Sequence, residues 1–273
     1  MVRREEKDEQ RNWQLLSATS ILAVYPDKDY QKMELRIENW QMNGKLIVFE
    51  GVEGSGKTTQ IARSRDWLLA SGTLAFLGNL GKPRHVALTR QPGGTSLGVA
   101  LRQILLEGQS LQIKDRAELL LYAADRAQHV EEFIKPLLEQ GAIVLCDRYT
   151  DSTIAYQGYG RGIDLKLIAQ LNQIATGGLN SDLTIWLDVD VSLGLQRARA
   201  RGKADRMEEA ELSFHQRVQK GFTQLASLYR DRIVRIDGSQ SEEAVQLDIR
   251  QILSQRFGEW GLGARDWGLG VRD

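Results

Sequence analysis

Eight consecutive residues constrain this chain more than any others: Gly51-Val52-Glu53-Gly54-Ser55-Gly56-Lys57-Thr58. They fit G-x-x-x-x-G-K-[ST] and stand between a short apolar run, Leu46 to Glu50, and a stretch from about Lys57 to Ala70 that reads as a helix. Strand, glycine-rich turn and helix in that order are the context in which the motif has a physical meaning. The glycines let the turn curl so that backbone N–H groups converge on phosphate oxygens, and the helix adds its positive N-terminal end. Lys57 then reaches the β- and γ-phosphates, and the Thr58 hydroxyl is placed to ligate Mg²⁺. Gly51 through Thr58 is therefore the expected ATP-binding loop. The motif leaves the second substrate open, because motors, GTPases and kinases all carry it.

The segments beyond the loop predict the fold. Val86–Thr89, Ala142–Cys146, Leu183–Leu187 and Ile233–Ile236 are further short apolar runs, and helical patterns separate them near 117–140, 164–175, 192–201, 207–229 and 241–256. Pro136 predicts a kink in the first of these. Short strands alternating with helices predict an α/β P-loop fold, a five-stranded parallel sheet with helices on both faces. Ligands of such sheets bind at the carboxyl ends of the strands. The flanks differ in character. Residues 1–41 open on a charge run and carry no recognisable chemistry, which reads as an extension or as an early start ahead of Met42. Residues 42–256 are the expected catalytic domain. Residues 257–273 hold a seven-residue tandem repeat, WGLGARD then WGLGVRD, expected to be a flexible tail. The segment from Thr73 to His85, with Gly78, Gly81 and Pro83, reads as a surface-loop insertion.

Composition excludes other classes. Lys+Arg and Asp+Glu both number 36, so no global field draws the chain to nucleic acid or to an anionic membrane. No apolar run reaches the roughly 18 residues of a membrane span. The start of the chain mixes acids with bases, unlike a signal or transit peptide. A single cysteine, Cys146, allows no disulfide within the chain and suits a reducing cytoplasm.

Three more segments fall at strand ends or on a helix face. Arg90-Gln91-Pro92-Gly93-Gly94-Thr95 follows the second strand, so Arg90 projects from the same rim as the phosphate loop. Tyr122 and Arg126 are four residues apart on a helix and share a face, an aromatic plane beside a forked donor. A pyrimidine stacked on Tyr122 with Arg126 on a base oxygen or a phosphate is one reading. Core packing of Tyr122, with Arg126 paired to Asp125 or Glu118, is the other. Asp147-Arg148-Tyr149 follows the third strand and again faces the phosphates. Beyond it, Gly158, Gly160 and Gly162 surround Arg161, which reads as a glycine-hinged lid carrying a cation.

Taken together over about residues 44–256, these segments resemble the thymidylate kinases. The family's T-R-E-P-G-G-T is matched with Gln91 in place of Glu. Its L-x-[FY]-A-x-D-R is matched around Tyr122 and Arg126, and its D-R-[YFH] by Asp147-Arg148-Tyr149. The resemblance implies a kinase that moves the γ-phosphoryl group of ATP–Mg²⁺ onto dTMP, acting as a cytoplasmic homodimer. It implies that Tyr122 stacks on thymine, that Arg126 contacts the nucleotide, that Arg148 holds the acceptor phosphate, and that Asp147 lies near the metal. Thr153, Tyr156 and Gln157 match positions lining the dTMP pocket, and Glu53 matches a loop carboxylate near the sugar 3′-hydroxyl. The loop has no arginine among its variable positions, as in the subclass whose catalytic arginine comes from the lid, here Arg161. Lys57, Arg148 and Arg161 are thus the expected catalytic cations, and Arg197, Arg199, Arg201, Asp205 and Arg206 look like the ATP-base side. Two rivals remain at this point: a kinase for another monophosphate or a deoxynucleoside, and a nucleotide-binding protein without phosphoryl transfer.

Overall fold

The computed structural model describes residues 44–70, 85–107, 111–200, 207 and 210–260. The expected N-terminal extension, most of the expected insertion before the second strand, the tail repeat from 261 onward, and Arg201, Asp205 and Arg206 lie outside these residues.

Five strands form one sheet: β1 (Lys45–Glu50), β2 (Val86–Arg90), β3 (Ile143–Asp147), β4 (Leu183–Asp188) and β5 (Ile233–Asp237). Their order is β2-β3-β1-β4-β5, and every neighbouring pair is parallel. The parallel α/β sheet predicted from the apolar runs is the fold. Each of the last four strands extends one residue beyond its apolar run. That residue carries chemistry in two cases, since Arg90 ends β2, Asp147 ends β3, and the two are register partners.

The helices follow the strands: α1 (Lys57–Ala70), α2 (Ser96–Arg102), α3 (Asp115–His129), α4 (Lys135–Glu139), α5 (Thr150–Thr153), α6 (Leu165–Thr176), α7 (Val191–Arg199), α8 (Leu212–Leu228) and α9 (Glu242–Glu259). α3 and α4 are joined by a wide π-type turn, Val130–Ile134. The break in helical period thus comes one turn before Pro136. Proline has no N–H to give to the carbonyl four residues back, and the wider turn accommodates that loss.

Side chains of β1 alternate between two cores, as the period of a strand requires. Ile47 and Phe49 pack with Leu145, Ile185 and Leu187 against α1 and α9. Leu46 and Val48 pack with Val144 and Cys146 under the helical stretch holding Val130, Ile134 and Leu138. Burying each such side chain contributes about 1.5–3 kcal/mol. α8 covers β4 and β5 at one end of the sheet, with Phe222 stacked on Trp186 at 6.1 Å. α9 continues to Glu259 and Phe257 is fully buried, so the body of the fold runs three residues past the boundary at 256. Among the described residues no helix is long and apolar enough to cross a membrane. β1 lies between β3 and β4, so the chain's path across the sheet reverses there, and the crevice at such a switch point is where ligands sit in open α/β sheets.

Candidate active site

The loop after β1 curls through three glycines with positive φ, Gly51 (144°), Gly54 (70°) and Gly56 (92°). Two of them also permit contact between backbones. A Cβ on Gly51 would lie 2.5 Å from Leu187 O, and one on Gly54 would lie 2.0 Å from Gly194 O in α7. The contact is reciprocal, because a Cβ on Gly194 would lie 2.6 Å from Glu53 O. Among the described residues, nothing lies within 4 Å of Gly56 on its Cβ side. Val52 differs from the rest of the loop in sending its side chain into the core beside Trp186. Lys57 folds back over the loop, donating to Gly51 O (2.9 Å), Val52 O (3.0 Å) and Ser55 Oγ (3.2 Å). Burial, with Arg148 nearby, lowers its ammonium to about 8. Lys57 is thus charged at neutral pH and held by acceptors of its own loop.

The turn after β3 brings Arg148 over that loop. Arg148 is the non-glycine residue with positive φ (70°) among the described residues. Such a conformation costs about 1–3 kcal/mol and persists where the surroundings over-determine it. Here Nη1 donates to Gly51 O (3.0 Å) and Ser152 Oγ (3.2 Å), Nη2 donates to Glu53 Oε1 (2.9 Å), and the guanidinium lies 4.9 Å from the Tyr156 ring centre. Glu50, at the end of β1, clamps the next residues. It accepts from Tyr149 N (2.8 Å), Ser152 N (3.1 Å) and Ser152 Oγ (2.5 Å). Burial, aided by Asp151, pushes its carboxyl up to about 7 against the opposing pull of Arg148 and these bonds.

Glu53 is the loop's carboxylate. Burial alone would raise it, but Arg148, His215, Lys57 and Tyr156 together hold it well below the usual carboxylate range. The Tyr156 hydroxyl donates to Oε1 at 2.7 Å, and His215 Nδ1, fully buried on α8, lies 3.5 Å from Oε2. Glu53 and Tyr156, expected separately as substrate residues, act here as one hydrogen-bonded unit.

On α3 the residues Glu118, Tyr122 and Arg126 recur every four positions and line one face. Arg126 pairs with neither Asp125 nor Glu118. Its Nε donates to Gln91 Oε1 (2.9 Å), Nη1 to Asn172 Oδ1 (2.9 Å) and Nη2 to Tyr149 O (3.0 Å). Three of a guanidinium's five N–H donors are thus engaged, which leaves two for a ligand. Asp125 instead accepts from Gly93 N (3.0 Å).

Gln91 stands where the resemblance expects a carboxylate, and both ends of its amide are engaged. Oε1 faces Arg126, so Nε2 faces His129 Nδ1 at 2.9 Å, and the other imidazole nitrogen meets Thr89 Oγ1 at 2.6 Å. Gly94 makes room for this ring, since a Cβ there would lie 2.3 Å from His129 Nε2. Burial and then Arg126 lower His129 from 6.5 to about 4. A depressed histidine stabilises the fold above its ordinary value, and that contribution is lost as pH falls from 6.5 through 4. The expected loss is about 3 kcal/mol. In Gln91→Glu a carboxylate accepts from protonated Nδ1, so the His129 titration, followed by NMR, moves upward and the acid loss in urea unfolding shrinks. A His129 titration that stays near 4 in Gln91→Glu would contradict this pairing.

The stretch expected to be a mobile, glycine-hinged lid is helical. α5 passes into a wide π-type turn, Ile154–Gly160. Gly158 and Gly160 serve close packing, because a Cβ on them would lie 2.5 Å from Leu165 Cδ2 and 2.6 Å from Phe214 Cε2. Arg217 from α8 donates to Gly160 O at 2.9 and 3.1 Å. Only Gly162 (φ 77°, nothing within 4 Å) has the conformation and the space of a free turn. Arg161 is held by α3 and α8. Its guanidinium lies 4.6 Å from the Phe214 ring centre and bonds Glu118 at 3.3 and 3.4 Å.

These elements enclose a cavity of about 240 Å³. Of the residues singled out in the sequence for the site, Glu53 through Thr58, Arg90, Tyr122, Arg126, Asp147, Arg148, Thr153, Tyr156 and Gln157 border it; Gly51, Val52 and Arg161 do not. Arg197 donates to Gly238 O (2.9 Å) and Arg199 is exposed. Sequence reasoning missed Arg102, which borders the cavity from the end of α2 and donates to Pro92 O (3.0 Å). It also missed Glu50, His129 and His215, and considered Glu118 only as an alternative partner of Arg126. Only Glu118 had a readable signal, its four-residue spacing from Tyr122.

The family model for thymidylate kinase matches residues 49–249. A thymidylate kinase of Trichodesmium erythraeum (strain IMS101) is 57% identical over 223 residues, spanning 80% of this chain and 99% of that protein. One of Gloeobacter violaceus (strain ATCC 29082 / PCC 7421) is 50% identical over 216 residues, spanning 78% of this chain and 96% of the relative. The crystal structure of thymidylate kinase from Ehrlichia chaffeensis superposes with a TM-score of 0.60 at 34% identity, covering 77% of this chain and 98% of that one. With its phosphate loop, Arg90 rim, Tyr122 face and Asp147-Arg148-Tyr149 turn meeting in one cavity, the chain belongs to the thymidylate kinase family.

Proposed function

We propose that this protein transfers the γ-phosphoryl group of ATP to the 5′-phosphate of dTMP, giving dTDP and ADP. The observation that carries this reading is the meeting of Lys57 with four arginines, Arg90, Arg102, Arg126 and Arg148, beside Tyr122 in one cavity. A phosphate loop suffices for one triphosphate. The additional arginines suit a second phosphate, and the tyrosine suits a ring to stack upon.

A dTMP phosphate oxygen attacks the γ-phosphorus in line as the bond to ADP breaks, and no covalent enzyme intermediate is needed. The protein's part is positioning and charge neutralisation. Lys57 exchanges its loop carbonyls for the β- and γ-phosphates. Arg148, fixed by Glu53 and by the Glu50 clamp, bridges acceptor and donor. Arg161 is the further cation for the transferring group, which it reaches by leaving Glu118. Gln157, Thr153 and the Tyr122 ring receive the base, and Glu53 with Tyr156 the sugar. Mg²⁺ suits the residues present: Asp147 Oδ1 is buried without a hydrogen-bond partner among the described residues, and Thr58 offers an exposed hydroxyl on the same cavity. Both are hard oxygen donors, and one or two such ligands beside substrate phosphates are typical of this ion. When bound it neutralises phosphate charge.

The reading extends to a cytoplasmic homodimer with its catalytic unit in residues 42–259 and extensions on either side. The lone cysteine is buried and free. Leu97 and Val99 on α2, Leu120 on α3 and Ile174 on α6 are exposed apolar side chains on helices that pack together, and sedimentation velocity reads this association directly.

A coupled assay of ADP release with dTMP, dUMP, dCMP and thymidine tests the activity. The expected outcome is a kcat/KM for dTMP at least about 10²-fold above that for dCMP. Comparable turnover of dCMP would replace the reading by a broader monophosphate kinase. ATP binding without dTDP formation would replace it by a nucleotide-binding protein.

A further inference from the structure

Glu118 is fully buried on α3 and does not border the cavity. It stands behind the cavity wall with both oxygens facing donors. Gln157 Nε2 donates to Oε1 at 3.0 Å, while Arg161 Nε meets Oε1 at 3.4 Å and Nη2 meets Oε2 at 3.3 Å. A carboxylate against a guanidinium accepts hydrogen bonds, so the Gln157 amide can face it only through its NH₂. That fixes the direction of the amide. Its NH₂ is committed to Glu118, and its carbonyl oxygen is left for the cavity that Gln157 borders. Gln157 is itself buried in the Ile154–Gly160 turn, which packs under α8.

We infer that Glu118 is the positioning residue for base selectivity: it holds Gln157 as a hydrogen-bond acceptor toward the pyrimidine. A ring with an N–H at position 3, thymine or uracil, satisfies that acceptor. Cytosine presents a bare ring nitrogen there, and two acceptors facing each other in a buried site are left unpaired. The inference rests on the proposed dTMP kinase reading and deepens it. Arg161 shares the same carboxylate, so the base end of the pocket and the arginine assigned to transfer have one anchor.

Steady-state kinetics of the full chain with dTMP and dCMP test this. In Glu118→Gln one acceptor replaces two. The Arg161 cation takes it, the new NH₂ faces Gln157, and the Gln157 amide turns over to present NH₂ to the cavity. The dTMP/dCMP ratio of kcat/KM then falls at least about tenfold, chiefly through a raised KM for dTMP. Gln157→Leu lowers the ratio as well, and adding Glu118→Gln to it changes the ratio no further, because one acts through the other. A structural role alone would lower stability and leave the ratio intact. An unchanged ratio in either single variant, or independent effects in the double variant, overturns the inference. Should Glu118→Gln fail to fold, the ratio is read in Glu118→Leu combined with Arg161→Leu, which removes the buried charge pair together. A reduced ratio there supports the inference and a retained one overturns it. A wild-type protein that does not discriminate dTMP from dCMP overturns the functional reading itself, which is a separate result.

Discussion

Arg148→Met lowers kcat for dTMP phosphorylation by about 10³–10⁵-fold, the range of arginines that stabilise a transferring phosphoryl group. The geometry argues for the upper part of that range. The guanidinium spans the first residue of the phosphate loop, the loop carboxylate Glu53 and Ser152, and it does so from a backbone conformation that favours glycine. Arg148→Lys does not restore the rate, because a single ammonium cannot serve Gly51 O, Ser152 Oγ and Glu53 Oε1 in a fixed fork. ATP affinity measured by calorimetry changes much less than kcat, since the loop amides and Lys57 remain. A kcat within tenfold of wild type would remove Arg148 from the transfer step.

Gly54→Ala is the second large effect. The new methyl carbon would lie 2.0 Å from Gly194 O, and the residue would keep a φ of 70°. Overpacking against backbone costs about 1–3 kcal/mol and the left-handed conformation adds about 1–2 kcal/mol, so unfolding in urea is expected to show a loss of about 3 kcal/mol or more. Gly56→Ala is the control. Its φ is 92°, yet among the described residues nothing lies within 4 Å of the added carbon, so only the conformational cost applies. Equal stability losses in the two variants would refute the contact between loop and α7 as the source of the difference.

The fold was legible because its strands are short apolar runs bounded by polar residues. β1, β3 and β4 are buried on both faces, so their residues read as unbroken apolar segments, and the phosphate loop fixes the turn and helix after β1. The candidate site was legible where the cavity meets a strand end, as at Arg90, Asp147 and Arg148. Inside helices it was legible only in part: the spacing of Tyr122 and Arg126 could be read, and the buried histidines could not. His129 and His215 are buried polar residues whose partners, Gln91 and Glu53, are distant in the chain, and their spacing resembles that of any solvated helix face. Glu50 reads as the polar end of a strand until the turn after β3 folds over it. Gly158 and Gly160, unlike Gly162, differ from the hinge expectation because one residue type serves two purposes. Lack of a Cβ allows a hinge, and it equally allows Leu165 and Phe214 to press against the backbone.

The spacing of Glu118, Tyr122 and Arg126 makes α3 a ruler. A rise of 1.5 Å per residue puts the outer two about 12 Å apart along the axis, with the aromatic plane midway between them. Graduations of this kind are kept in phase by the helix itself. One inserted residue would rotate every later mark by about 100° and turn Arg126 off the cavity, a change that no adjacent loop could correct. On the proposed reading, discrimination among nucleotides depends on helical phase along α3 as well as on Gln157, so redesign of substrate choice would replace marks on α3 without altering their count.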